Sequence, residues 1–238
     1  MNKDTIIRLE RIVKNFPVGT GYFTALNNIT LKFEKGEFAG LVGPSGSGKT
    51  TLLNIIGSLD TPTEGKASIM DKSLIGLSHK ESAQLRSKHI GFIFQTYNLL
   101  PVYTVYENVE FTLLLQKVPL SERRKAVMEA LEWVGLTDKV NSKPSMLSGG
   151  ESQRVAIARS MVKKPEVVLA DEPTANLDSV NSHHILQTMK KLNEELKVTF
   201  IFATHDEKVM QYLSRIISLA DGKIVGDTIN PNHGSNAQ

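Results

Sequence analysis

Hydrophobic positions along the chain fall into two kinds of run. Residues 29–33 alternate apolar and polar side chains, which is typical of a strand with one solvated face. The stretches 38–42, 167–170 and 198–203 are almost continuously apolar, as in strands buried on both faces of a parallel sheet. Helical patterns lie between them. The sequence therefore predicts an α/β core with a mainly parallel sheet and an N-terminal antiparallel β subdomain.

The middle of the chain is poor in strand signals. We predict an inserted α-helical subdomain at about 97–161, containing a helix with Ser121 as its N-cap and Gly135 as its C-cap. A closing hairpin follows near the C-terminus, with Asp221-Gly222 as its turn. We predict one nucleotide-binding domain over residues 1–226 and a flexible polar tail over 227–238.

Composition narrows the possible functions. The 238 residues include no cysteine, which excludes disulfides, thiolate metal sites and cysteine nucleophiles. The net charge of +3 is too small to indicate binding to nucleic acid, and we expect no such partner. No segment approaches the roughly 18 apolar residues of a membrane span. Any action on a membrane would therefore need a partner protein.

The most specific chemical motif is Gly43–Thr50, which reads GPSGSGKT and matches the phosphate-binding P-loop. It lies between a predicted strand and a predicted helix, so its backbone N–H groups and the helix N-terminus can face a polyphosphate. Lys49 would contact the β- and γ-phosphates, and the Thr50 hydroxyl would bind Mg²⁺. The alternative, a glycine-rich turn without a ligand, does not explain this context.

Two carboxylates, Asp171 and Glu172, end the apolar run 167–170. Ligands of open α/β sheets bind at this end of the strands. Asp171 fits a role at Mg²⁺, and Glu172 could polarise an attacking water. Solvated acidic residues at a strand end are common. The pair therefore indicates metal binding and water activation only in combination with the P-loop.

Ser148, Gly149 and Gly150 precede a helical pattern. A hydroxyl and bare backbone N–H groups at a helix start form a second candidate anion site. The same tripeptide is also a good generic turn and helix cap.

Together these motifs resemble the nucleotide-binding subunit of ATP-binding cassette (ABC) transporters. Glu151 replaces the final glutamine of the family signature, and Ser152 and Asn176 are milder departures. The resemblance rests on six motifs in the family's order: the P-loop Gly43–Thr50, the Q-loop glutamine Gln95, the signature Leu147–Glu151, the Walker B stretch Val167–Glu172, the D-loop Ala175–Asp178 and the switch histidine His205.

The resemblance implies ATP and Mg²⁺ as cofactors and assigns roles to individual residues. Catalytic roles fall to Glu172, His205 and Gln95, and magnesium binding to Thr50, Gln95 and Asp171. An aromatic ring should stack on adenine, with Phe16 as the best match and Tyr22 as the alternative. The residues expected to contact the nucleotide are Phe16, Gly43, Pro44, Ser45, Gly46, Ser47, Gly48, Lys49, Thr50, Thr51, Ser148, Gly149, Gly150 and Asp178.

It also implies an ATP-bound homodimer, with two ATP molecules clamped head to tail between the P-loop of one subunit and the signature turn of the other. The partner would be an integral-membrane permease that holds the subunit at the cytoplasmic face of the inner membrane. The stretches 57–65 and 94–101 resemble the bacterial group of lipoprotein-releasing, macrolide-export and cell-division ATPases. Lipoprotein release is the first expectation; macrolide or peptide efflux and cell division are the alternatives.

The sequence argues against two function classes outside transport. A soluble ABC mechanoenzyme of the chromosomal type would need a long coiled coil between the motifs, and none is predicted. A P-loop kinase or GTPase would not account for Leu147–Glu151 or His205.

The segment 96–103 is rich in apolar and aromatic residues and follows Gln95. We expect it to line a groove that receives a cytoplasmic helix of the permease, so that changes at Tyr103 or the nearby Glu107 would uncouple transport. The competing interpretation is that these side chains pack the helical subdomain.

Overall fold

The structure is a computed structural model of the chain, and it describes residues 5–230. These residues form two compact units, one made of 5–86 with 199–230 and the other of Ser87–Val198. Within residues 5–230, no helix combines the length and the apolar character that crossing a lipid bilayer requires.

In chain order the strands are β1 (Thr5–Val18), β2 (Gly21–Glu34), β3 (Phe38–Val42), β4 (Glu64–Ile69), β5 (Lys72–Ser73), β6 (Ile90–Ile93), β7 (Val167–Asp171), β8 (Thr199–Thr204), β9 (Arg215–Ala220) and β10 (Lys223–Ile229). The helices are α1 (Lys49–Ile56), α2 (His79–His89), α3 (Val105–Leu115), α4 (Leu120–Trp133), α5 (Gly149–Met161), α6 (Ser179–Leu196) and α7 (Glu207–Met210).

The first unit contains an antiparallel sheet in the order β2-β1-β4-β5. Its inward side chains alternate with exposed ones; on β1, for example, Ile7 and Leu9 are buried and lie on one face of the strand. This sheet is the antiparallel β subdomain that the alternating pattern predicted.

The same unit holds β3 and β8, two parallel strands in which every residue is buried. β3 pairs in parallel with β8 and with β9, and β10 adds to β9 in antiparallel. The Phe38 ring packs 5.5 Å from Phe200 and 4.7 Å from Phe202, between ring centroids. Helix α1 packs against β8. The P-loop between β3 and α1 is thus anchored at both ends in a rigid core.

The second unit combines a strand pair with a helical layer. β6 and β7 are parallel, with Ile90 opposite Val167 and Ile93 opposite Ala170. Helix α5 packs against α3, α4, α6 and β6, so it is the centre of this unit. Because parallel strands end at the same edge, the residues that follow β6 and β7 are brought close together.

Helices α3, α4 and α5 fall within the strand-poor segment, as predicted. The N-cap predicted at Ser121 lies two residues earlier, at Pro119, whose carbonyl accepts from the N–H groups of Glu122 and Arg123, so α4 begins at Leu120. The proposed limits of the domain, 1–226, and of its helical subdomain, about 97–161, stay predictions.

The start of the polar tail was predicted wrongly. Asp227 lies in β10 opposite Ile217, and its carboxylate accepts a hydrogen bond from Arg215 at 2.7 Å. Strand β10 therefore continues to Ile229, and residues 231–238 lie outside the described part of the chain.

Candidate nucleotide site

The P-loop has a backbone shape that glycine alone can adopt at two positions. Gly43 and Gly48 have φ of +155° and +101°. A Cβ on Gly43 would lie 2.1 Å from the Leu219 carbonyl oxygen, and one on Gly48 would lie 2.7 Å from the Ala25 carbonyl oxygen. The loop is therefore pressed against its own unit, with its open side formed by the exposed Pro44, Ser45 and Gly46.

Lys49, at the first turn of α1, is only 7% exposed. Its Nζ donates hydrogen bonds to the carbonyl oxygens of Gly43 at 2.6 Å and Pro44 at 2.9 Å. The ammonium group is thus held against the loop itself, where an anionic phosphate would offer it a charged acceptor in place of two neutral ones.

Two hydroxyls flank this lysine. Ser47 Oγ is buried and has no hydrogen-bond partner among the described residues. Thr50 lies exposed at the N-terminal turn of α1, and Thr51 beside it is half-buried. A cation, an unsatisfied hydroxyl and a helix N-terminus around one loop fit a polyphosphate.

Magnesium is also compatible with the donors present. Thr50, Gln95 and Asp171 offer hydroxyl, amide and carboxylate oxygens, the hard ligands that Mg²⁺ prefers. Within residues 5–230, no cluster of three or more His, Asp or Glu side chains could hold a metal on its own. In nucleotide sites, Mg²⁺ is usually bound by one or two protein ligands together with phosphate oxygens.

Phe16 and Tyr22, the two candidates for the adenine platform, lie at the tip of the β1–β2 hairpin. They are 37% and 76% exposed. Lys14 Nζ lies 4.9 Å from the centroid of the Phe16 ring and donates to Asp60 Oδ1 at 2.6 Å. Phe16 is therefore the better fixed of the two rings. Lys14 was missed in the sequence, although its position two residues before Phe16 places both on one strand face.

His205 follows the last residue of β8 and is exposed. Asp206 caps α7, because its Oδ1 accepts from Lys208 N at 2.8 Å, while its own N–H donates to Thr204 Oγ1 at 3.0 Å. These two hydrogen bonds of Asp206 stabilise the turn on the C-terminal side of His205.

In the second unit, Asp171 is the last residue of β7 and Glu172 follows it; both are half-buried. Glu172 has φ of +46°, which is uncommon for a residue with a side chain. Ala175 N donates to the Glu172 carbonyl at 3.3 Å, closing a turn immediately after the carboxylate.

The signature turn begins α5. Ser148 is the N-cap: its Oγ accepts from Glu151 N at 3.2 Å, and Glu151 Oε2 accepts from Ser148 N at 2.8 Å. Glu151, the departure from the family signature, therefore completes a capping box. Hydrogen bonds from Ser148 hold the pKa of the Glu151 carboxyl below its usual value, with Lys139 contributing less. Ser148 and Gly149 are exposed and Gly150 is buried.

Gln95 lies just beyond β6 and is exposed. Its Nε2 donates to Asn176 Oδ1 at 3.4 Å, and Asn176 Nδ2 donates to the Gln95 carbonyl at 3.0 Å. Asp178 caps α6 by accepting from Asn181 N at 2.9 Å, and hydrogen bonds from Asn181 lower its pKa. The structure thus joins Gln95 to the D-loop and gives Asp178 a capping role.

The loop after Gln95 is also tied to α5. Arg159 donates to the carbonyl oxygens of Tyr97 at 2.7 Å and Asn98 at 2.6 Å. A Cβ on Gly149 would meet the Tyr97 hydroxyl at 2.9 Å, so the loop also lies against the signature turn. These contacts of Asn176, Arg159 and Tyr97 were not predicted, because they join segments far apart in sequence.

Comparison with known proteins gives a consistent picture. The family model described as ABC transporter matches residues 26–175. A macrolide export ATP-binding/permease protein MacB of Burkholderia thailandensis is 42% identical over 229 residues, which cover 96% of this chain but 35% of that protein. The chain thus spans about a third of the length of that relative.

Two other relatives match along almost their whole length. The lipoprotein-releasing system ATP-binding protein LolD of Pseudoalteromonas translucida is 43% identical, covering 93% of this chain and 95% of LolD. The dimeric post-hydrolysis structure of the ATP-binding cassette MJ0796 bound to ADP and Pi superposes with a TM-score of 0.87 at 42% identity, covering 94% of this chain and 98% of that one. MJ0796 is from Methanocaldococcus jannaschii.

The matched family model, these identities and the shared fold agree with the P-loop built between β3 and α1. The chain belongs to the ABC transporter family, as an ATPase cassette that uses ATP and Mg²⁺.

Proposed function

We propose that this cassette works as a head-to-tail homodimer in which two ATP molecules are each held between the P-loop of one subunit and Ser148–Gly150 of the other. The observation that carries the proposal is the exposed N-terminal turn of α5 at Ser148 and Gly149, which could bind an anion, in a chain that already has a complete P-loop. The dimeric state reported for MJ0796 with ADP and Pi supports it.

Each residue of the site has its own role. Lys49 and the P-loop N–H groups bind the phosphates, and Thr50, Gln95 and Asp171 hold Mg²⁺. Glu172 accepts a proton from the attacking water and orients it, while His205 contacts the γ-phosphate. Phe16 stacks on adenine. Asp178 caps α6 and contacts the nucleotide.

Closure of the ATP-bound dimer drives an integral-membrane permease. Binding to this permease keeps the cassette at the cytoplasmic face of the inner membrane. Lipoprotein release is the first candidate, supported by 43% identity to LolD along 95% of its length. Macrolide export is the second, supported by 42% identity to MacB. Depletion of the protein in its host distinguishes them: lipoproteins retained in the inner membrane support the first, and macrolide sensitivity alone supports the second.

We propose that the permease contacts exposed apolar side chains of the second unit. Four such side chains lie in or beside the loop after Gln95 and around the α3–α4 connection: Val102, Leu114, Leu115 and Leu120. Apolar groups left in water on a helical layer favour a protein partner.

The two residues first expected to report this contact have structural roles. The Tyr103 ring lies 6.1 Å from the Phe111 ring, between centroids. Glu107 completes the capping box of α3, since its Oε2 accepts from Thr104 N at 2.7 Å. Substitution at either residue would disturb α3 directly, so Val102, which is 73% exposed, is the better probe.

The decisive experiment uses Glu172→Gln, which keeps the shape of the side chain but removes the proton acceptor. We expect it to bind ATP with Mg²⁺, hydrolyse it at least roughly a hundredfold more slowly, and accumulate as a dimer on size-exclusion chromatography. The double variant with Lys49→Ala should stay monomeric. A Glu172→Gln protein that binds ATP yet elutes as a monomer would contradict the composite site.

A further inference from the structure

Gln153, on the second turn of α5, is completely buried (0% exposed). Its Nε2 donates a hydrogen bond of 2.6 Å to the carbonyl oxygen of Pro173. Pro173 directly follows Glu172, so α5 is bonded to the backbone immediately after the proposed water-activating carboxylate.

The other end of the same amide is unsatisfied. Gln153 Oε1 is buried and has no hydrogen-bond partner among the described residues. A buried acceptor without a partner destabilises the folded state, and an apolar side chain of the same size would avoid that cost. Packing alone therefore does not account for an amide at this position; its donor to Pro173 does.

Glu172 itself needs external support. Its φ of +46° is in the left-handed region, where a side-chain-bearing residue is strained and persists only if its surroundings hold it. Ala175 N reaches back to the Glu172 carbonyl at a long 3.3 Å. The shorter hydrogen bond from Gln153 Nε2 fixes the carbonyl of Pro173, the residue after Glu172. The proline ring also restricts the φ angle of Pro173.

We propose that Gln153 is a positioning residue that holds the turn after Glu172, and through it the direction of the Glu172 carboxylate. Gln153 contacts neither nucleotide nor water in this role. The proposal rests on the proposed function of Glu172. Because a misplacement of about 1 Å can cost about a hundredfold in rate, loss of the hydrogen bond should reduce turnover much more than ATP binding.

The test compares two buried amides. Gln153→Met removes both the donor and the unsatisfied acceptor at nearly constant volume. We expect kcat for ATP hydrolysis to fall at least about tenfold and KM for ATP to stay within about threefold. The melting temperature should fall no further than in the control variant, because the Pro173 carbonyl loses its donor but an unsatisfied acceptor is removed as well. The control is Asn193→Leu, because Asn193 is also buried and donates to a backbone carbonyl, that of Val198, at 2.7 Å. Asn193→Leu should lower the melting temperature and leave kcat within about twofold.

Gln153→Asn provides a second variant if the methionine protein does not fold. It keeps the amide but is one methylene too short to make the same bond, and it should also lose kcat selectively. Wild-type kcat in either folded variant overturns the positioning role, as does a joint loss of kcat, ATP affinity and melting temperature like that of a destabilised fold. Absence of ATP hydrolysis by the wild-type chain would instead overturn the proposed function, and the positioning role with it.

Discussion

Gln95 and Asn176 hold each other through two hydrogen bonds across 81 residues of sequence: Asn176 Nδ2 donates to the Gln95 backbone, and Gln95 Nε2 donates to Asn176 Oδ1. The contact engages the amino group of the Gln95 amide. Because these hydrogen bonds use the amino group and not the oxygen of the Gln95 side-chain amide, Oε1 is the atom that would take part in the proposed contact with Mg²⁺.

Asn176→Ala should weaken the response to magnesium. Without its partner, the Gln95 side chain must be ordered at the moment of metal binding, so we expect the Mg²⁺ concentration for half-maximal ATPase activity to rise roughly threefold or more. Because the pair is exposed, the melting temperature should change little. In a Gln95→Ala background the same substitution should have no further effect on the Mg²⁺ response. An unchanged Mg²⁺ response in the single variant would contradict the pre-organising role.

Local patterns in the sequence were enough to predict the P-loop, the parallel strands and the antiparallel β subdomain. The run 38–42 is apolar at almost every position because β3 is buried on both faces, and the GPSGSGKT loop requires Gly43 and Gly48 for its shape. The capping box of Thr104 and Glu107 was missed, although its T-x-x-E pattern is visible in the sequence.

The support around the site could not be predicted in the same way. The hydrogen bond from Gln153 to Pro173 depends on how β6, β7 and α5 pack, and so does the pair of Gln95 with Asn176. Neither hydrophobic periodicity nor a short motif predicts that packing. Asp227 was assigned to the tail because it lies in a polar stretch; its bond to Arg215 across the β9–β10 ladder is what orders it.

Lys49→Ala should leave the fold intact but remove nucleotide binding and hydrolysis. Loss of one preorganised charged contact typically costs about 10²–10³ in rate. The control is Lys35→Ala, which removes a lysine from the exposed turn between β2 and β3. ATPase activity of the Lys49 variant within about twofold of wild type, with Lys35→Ala also unchanged, would mean that the phosphates are bound elsewhere.

Asp227 should stabilise the fold in a pH-dependent way. Hydrogen bonding to Arg215 lowers the pKa of Asp227 below 3.8. The stabilisation is therefore complete above about that pH and is lost as the pH falls through the lower pKa of the folded state. Burial raises the pKa of Glu37, which also faces Arg215, so Glu37 contributes in the opposite direction.

Asp227→Asn should consequently lower the free energy of unfolding at neutral pH by less than about 1 kcal/mol, since the carboxylate is partly solvated and its ion pair is screened. Urea unfolding of wild type and variant should converge as the pH is lowered below about 3.8. Asp138→Asn, at an exposed carboxylate on a short turn, should be nearly neutral at every pH. A difference between wild type and Asp227→Asn that stays constant with pH would exclude the ion pair as its cause.

The permease contact can be tested at Val102 because this side chain contributes little to its own fold. It is 73% exposed, and a glutamate there would be well solvated in the isolated cassette, so basal ATPase activity should stay within about twofold of wild type. In the complex the same charge would be desolvated against an apolar partner, and we expect permease-stimulated ATPase activity to fall roughly tenfold or more. Val225→Glu, at a similarly exposed valine on β10, serves as the control and should retain stimulation. Equal stimulation of the two variants would remove Val102 from the contact and place the permease on another surface of the cassette.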